Sequence, residues 1–310
     1  MTNLKDSIVS DRDPILSLFF ILLVVLIGFL FIGPLIGLGI SSLFYEGDLL
    51  AELQKAKPDA SIFLPLMVTQ GFTSLIGLII IPILYLLYVE HKPLSPFFRR
   101  ENDITKIFSI IPVLGICFLV AISPVTEWNM NFQFPEFLQE FGGWARAQED
   151  KLMEMTKLLT NFSSSTGFII GLVVIAVLPG IGEELVFRGL IQNELWRSSK
   201  NIHIAIWTSA FLFSAIHMQF FGFVPRLLLG ALFGYLYYWS GNLLIPMVAH
   251  FFHNGFTVTM IYLYNQGSTG INIDSEESAP VYLVALCTGA TFVLLYFFRK
   301  HYTSAEQPLS

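Results

Sequence analysis

Apolar residues in this chain run on for longer than a soluble helix or strand requires, and polar residues gather in the gaps between the runs. Stretches at 15–44, 62–89, 104–121, 167–196, 202–218, 223–239, 243–264 and 281–298 approach or exceed the span of a bilayer, which takes about 20 residues of helix across a hydrocarbon core of roughly 30 Å. Each run predicts a transmembrane helix, because a helix satisfies its own backbone hydrogen bonds where no water can. The expected fold is therefore all-α: a polytopic helical bundle of about eight transmembrane helices. The longest gap, 124–165, has its own period. Trp144, Leu152, Met155 and Leu159 recur at helical spacing among Arg146, Glu149, Asp150 and Lys151, which predicts an amphipathic helix lying on the bilayer surface. The chain thus divides into an N-terminal membrane unit of three spans (1–123), the segment with the interfacial helix (124–165), a four-span core (166–266), and a last span with its tail (280–310). The polar run 267–277, with Asp274, Glu276 and Glu277, reads as a loop.

Composition agrees. Hydrophobic residues make up 54% of the 310 and charged ones 13%, too little polar surface to cover a soluble globule of this size. The first apolar stretch is too long for a signal-peptide core and should remain as the first helix, and 306–310 carries no lipidation signal. Basic residues set the orientation. With the N-terminus in the cytoplasm, that side holds Lys5, Arg12, Lys92, Arg99, Arg100, Lys106, Arg197, Lys200, Arg299 and Lys300, against Lys55, Lys57, Arg146, Lys151 and Lys157 opposite. Both termini are thus expected in the cytoplasm of a plasma (inner) membrane protein. A net charge of −6 argues against nucleic acid as a partner; the bilayer and a peptide or protein within it are the expected ones. Cys117 and Cys287 fall inside spans as small apolar side chains, and no disulfide is expected.

The chemistry is concentrated in a few polar residues. Glu183, Glu184 and Arg188 lie in the stretch 168–195, where almost nothing else is charged, and an ionisable group at membrane depth marks function by default. Other polar residues at that depth are His217, with Gln219 just beyond, and His250, His253 and Asn254. Glu183 lies fourteen residues back from Arg197, and His217 fourteen residues on from His203, so a rise of 1.5 Å per residue puts both at about 21 Å from one face, with His250 and Asn254 at about 10 and 16 Å. Glu184 and Arg188, four apart with the acid first, form a structural ion pair. Glu183, turned about 100° from its neighbour, is left as a base. His250 and Asn254, also four apart, offer two donors to one oxygen, in the manner of an oxyanion clamp. Pro179 and Gly180 are expected to kink or break the helix beside the acids. Such groups suit hydrolysis by activated water: a carboxylate, with His217, takes a proton from water while the amide and imidazole hold the oxyanion of a peptide carbonyl. There is no His-Glu-x-x-His and no Gly-x-Ser-x-Gly, and every Asp lies outside the spans. Arg226 is read as an interfacial anchor, with a grip on a substrate carboxylate as the rarer role. Gly230 and Gly234 form a close packing face.

Glu183-Glu184-x-x-x-Arg188, Phe213-x-x-x-His217 and His250-x-x-x-Asn254, in that order on three helices, resemble the polar motifs of the CAAX-protease and bacteriocin-processing (CPBP, or Abi) family of intramembrane endopeptidases. The resemblance covers about a quarter of the chain, 178–255. It implies a CAAX-protease-like helical bundle with Glu183 as catalytic base, His217 assisting, and His250 and Asn254 binding the oxyanion. Two roles for metal stay open. Glu183, His217 and His250 would supply three ligands of a catalytic zinc with an open fourth position, or would act directly on water, the preferred reading. The expected activity is hydrolysis of a membrane-associated or lipid-modified peptide. The alternatives are a non-catalytic peptide-binding or bacteriocin-immunity scaffold, and a proton-coupled transporter.

Overall fold

A computed structural model describes residues 12–53, 55, 59–98, 104–162, 164–270 and 277–304. The expected loop positions Asp274 and Glu276, the basic Lys5, Lys57, Arg99 and Arg100, and the tail 306–310 lie outside them. Among the described residues the chain is helical, with no strand beyond an isolated antiparallel pair, Phe98 with Asn242.

The helices are α1 (Pro14–Ser41), α2 (Phe63–Val89), α3 (Ile104–Met130), α4 (Gln139–Thr160), α5 (Ser165–Ser199), α6 (Ile202–Ala215), α7 (Phe223–Ser240), α8 (Leu244–Asn265) and α9 (Val281–Ser304). Among the described residues seven segments are long and apolar enough to cross a membrane, one overlapping each of these helices except α4 and α6. The protein is an all-α polytopic membrane protein.

Two expectations need adjusting. The run 202–218 does not form a full span: α6 is 14 residues long, about 21 Å at the helical rise, short of the hydrocarbon core. It ends because Met218 takes a left-handed φ of 54°, which leaves His217 in the turn after the helix. The third span, expected to stop near 121, continues to Met130 through Pro124. Pro124 has no N–H for the carbonyl of Val120, and the Ser123 hydroxyl donates to that carbonyl instead, at 2.8 Å.

Small residues set the helix spacing. On α1, a Cβ at Gly33 or Gly37 would stand 2.7 Å from the Cα of Thr73 or Thr69 on α2. Gly230 and Gly234 bring α7 onto α6 in the same way, against Ala210 and Ile206. One buried core joins α1 and α2 to α5 through Ile21, Leu78, Tyr85 and Leu190; a second joins α3 to α7, α8 and α9 through Leu114, Phe233, Ala249 and Phe298. The outward faces of α1 and α9 are apolar, with Phe19, Leu35, Phe292 and Tyr296 exposed as lipid requires. At one end of the bundle the start of α1 meets the end of α5, where Arg197 Nη2 donates to the carbonyl of Arg12 at 2.8 Å. At the other end α4 covers the turn between α6 and α7.

Candidate active site

The central helix is α5. It runs unbroken past Pro179, and the expected break does not occur: a π-helical stretch, Leu172–Val177, precedes the proline and absorbs the irregularity. The proline still leaves its mark. The carbonyl of Ile175, which a regular helix would bond to the N–H at 179, accepts instead from Asn254 Nδ2 of α8 at 3.1 Å. A second π-helical stretch, Leu185–Ile191, follows the acidic pair and turns Arg188 into the interior.

Glu183 and Glu184 have opposite surroundings. The Glu184 side chain has no exposed surface, and its Oε1 accepts from Arg188 Nη1 at 2.7 Å and from His250 Nδ1 at 2.8 Å. Arg188, itself buried, donates from Nη2 to the carbonyl of Gly230 at 2.8 Å and lies over the ring of Phe213, 4.6 Å from its centroid. Glu183 keeps 14% of its side chain exposed, and its Oε2 stands 3.9 Å from His250 Nε2, beyond hydrogen-bond reach. His250 therefore bridges the two acids, bonded to the closed one and facing the open one.

His217 is oriented by the residue four before it. Its Nδ1 lies 2.7 Å from the carbonyl of Phe213; a carbonyl only accepts, so Nδ1 carries the proton and a neutral ring keeps a free lone pair on Nε2. The Phe213 ring meets His217 edge-on at 5.2 Å and His250 at 5.9 Å, and Phe233 stacks on His250 at 5.1 Å. The Phe213-x-x-x-His217 spacing thus has a cause: the phenylalanine supplies a carbonyl to one imidazole, an edge to both, and a face to Arg188.

Of the residues selected from sequence, Glu183, Glu184, Arg188 and His250 are in direct apposition, and His217 joins them across Phe213. Asn254 sits one turn along α8 from His250 with one amide hydrogen committed to Ile175, leaving the other. Sequence reasoning gave no role to Phe233 or to the carbonyl of Gly230. The Gly230/Gly234 pair was the one legible sign, because a glycine notch exposes backbone carbonyls as well as allowing close packing. Among the described residues no three His, Cys, Asp or Glu side chains are grouped to hold a metal ion.

Fold and site define a class: a polytopic helical membrane protein with a carboxylate–imidazole centre inside the bundle. Residues 165–256 match the family model "Type II CAAX prenyl endopeptidase Rce1-like", so the resemblance carried by the three motifs is shown over the part of the chain that contains them. Three relatives are similar. The uncharacterized protein YpbD of Bacillus subtilis is 26% identical over 162 residues, 50% of this chain and 73% of that protein. The sporulation-killing factor biosynthesis protein SkfC of Bacillus subtilis is 32% identical over 36% of this chain and 22% of its own length. The membrane-embedded CAAX protease MroQ of Staphylococcus aureus is 31% identical over 27% of this chain and 36% of its own. The matches to SkfC and MroQ thus span well under half of those proteins. No solved structure matches.

Proposed function

We propose that this chain is a CAAX-type intramembrane endopeptidase that hydrolyses a peptide bond of a membrane-associated or lipid-modified peptide with water activated by Glu183 and His217. The observation that supports this reading is the asymmetry of the acidic pair: Glu183 is open at 14% exposure beside His250, while Glu184 is sealed and neutralised. The similarity to a protein named as a membrane-embedded CAAX protease points the same way.

In the proposed reaction Glu183 accepts a proton from water, and His217 Nε2 orients that water. The water oxygen bonds to the peptide carbonyl carbon, and the C=O electron pair moves to oxygen. His250 Nε2 and the second amide hydrogen of Asn254 donate to that oxyanion. Because His250 Nδ1 already bonds Glu184, donation from Nε2 as well requires that both ring nitrogens carry a proton. Collapse breaks the C–N bond, and the leaving amine takes the proton back from Glu183. No covalent intermediate forms, and no metal takes part.

Arg12, Lys92, Arg197 and Lys200 lie at the α1–α5 end of the bundle, which would face the cytoplasm together with both termini.

The test compares purified wild type with Glu183→Gln on membrane peptides of the native host. Mass spectrometry should find fragments made by the wild type alone, unaffected by chelators, in samples without stoichiometric zinc. Fragments undiminished in Glu183→Gln would move the base elsewhere. Peptide retention without fragments from either protein would favour the scaffold.

A further inference from the structure

At the α4 end of the bundle a polar chain leads from α4 to Arg226 of α7. Glu149 of α4 is 4% exposed. Its carboxylate accepts from Gln219 Nε2 at 3.2 Å and from the Phe221 backbone N–H at 3.3 Å. Gln219 Oε1 in turn accepts from Arg226 Nη2, in the first turns of α7, at 2.7 Å. The guanidinium lies against the bare backbone of Gly222, where an added Cβ would stand 3.1 Å from Nη2 and 3.4 Å from Nη1. Nη1 is buried and has no hydrogen-bond partner. Arg226 lies within electrostatic range of both Glu149 and Glu183, and near His217.

We infer that Arg226 is an anion-binding residue of the substrate cleft that takes a carboxylate of the bound peptide through Nη1, with Glu149, Gln219 and Gly222 fixing its guanidinium in place. This rests on the peptidase reading for what occupies the cleft. Three features carry it. An arginine serving only to brace the fold would be expected to bond a carboxylate directly, yet the side chain bonded to this one is a neutral amide, with the Glu149 carboxylate one hydrogen bond further back, so the fork is oriented while Nη1 keeps no bonded acceptor. A headgroup anchor needs its guanidinium at the surface, whereas Nη1 is buried. The planar, permanently charged fork matches a carboxylate better than it matches a neutral carbonyl. The carboxylate is either the peptide's C-terminus or an Asp or Glu side chain.

The full chain is reconstituted in vesicles of neutral phosphatidylcholine and phosphatidylethanolamine and given N-palmitoylated, dansyl-labelled decapeptide pools. The pools differ in having a free or amidated C-terminus, and Asp/Glu or Asn/Gln within the sequence. Cleavage is followed in wild type, Arg226→Gln and Arg226→Lys, and dansyl binding in Glu183→Gln with and without Arg226→Gln. Wild type should prefer one carboxylate-bearing pool by about tenfold to a hundredfold in kcat/KM, mostly through KM, as expected of a charge-assisted hydrogen bond. Arg226→Gln should bring that ratio close to one, and Arg226→Lys should restore part of it. Gln219→Ala and Gly222→Ala should raise KM for the preferred pool without removing the preference. Whichever pool pair discriminates identifies the carboxylate. A ratio that survives Arg226→Gln, no preference in wild type, no binding of any pool, or a response only to added anionic phosphatidylglycerol would each overturn the inference. Carboxylate-dependent binding with no cleavage by wild type would instead overturn the peptidase reading and leave the subsite standing.

Discussion

One residue of separation decides the character of the acidic pair. A step along an α-helix is about 100° of rotation, enough to aim Glu184 at Arg188 and His250 and to leave Glu183 partly exposed. The two carboxylates should therefore separate stability from activity. Arg188→Met strips the counter-charge from a fully buried carboxylate, a loss of about 3–5 kcal/mol, and should lower the melting temperature in detergent clearly, as read by intrinsic fluorescence. Glu183→Gln removes no bonded partner and should melt with the wild type while abolishing cleavage. Matching melting curves for the two variants would mean that the Glu184–Arg188 pair does not brace the fold. The pair was readable from spacing alone, because four residues bring two side chains onto one helical face. The bond from His250 to the same oxygen was not, since it joins residues 66 apart in sequence.

At the level of the helices, close approach and covering contacts can be tested separately. A Cβ at Gly234 would stand 2.8 Å from Ile206 and from Gln192, while nothing lies within 4 Å of one at Gly39. Gly234→Val should cost about 1–3 kcal/mol by overpacking, and Gly39→Val should be near neutral, both read by thermal melting. Equal effects would show that the α6–α7 seam is not tight. On α4, Glu149 holds the turn 219–221, so Glu149→Ala should speed amide exchange across 217–222 in hydrogen–deuterium exchange and leave α8 unchanged. An unaltered turn would mean the aromatic contacts of Phe220 and Phe221 with Phe141, Trp144 and Arg146 suffice by themselves. The sequence showed α4 as amphipathic but put Glu149 among its solvated charges: period locates a helix face, and cannot say that another segment will fold over part of the polar one. The early end of α6 was hidden for a similar reason, since Ile216 and Met218 continue the apolar pattern after the backbone has turned.

For the molecule as a whole, the start of α1 meets the end of α5, and the last turns of α9 pack beside the end of α7. In a protein with Cys117→Ser and Cys287→Ser, a membrane-impermeant maleimide should label Gly143→Cys on intact cells, and Ser199→Cys only after permeabilisation. The reverse pattern would invert the proposed orientation. Both positions are exposed and lie at opposite ends of the bundle.

The number and approximate limits of the apolar helices, and the presence of charged groups within them, followed from the sequence by itself. Bilayer thickness and backbone hydrogen bonding allow few alternatives for such a pattern. Which acid is sealed and which is open, how Phe213 ties His217 to His250, why Pro179 gives Asn254 an anchor, and where Arg226 points were settled only by tertiary structure. Those outcomes depend on contacts between helices far apart in the chain, and a period of 3.6 residues gives the direction of a side chain about its own helix without saying what it will meet.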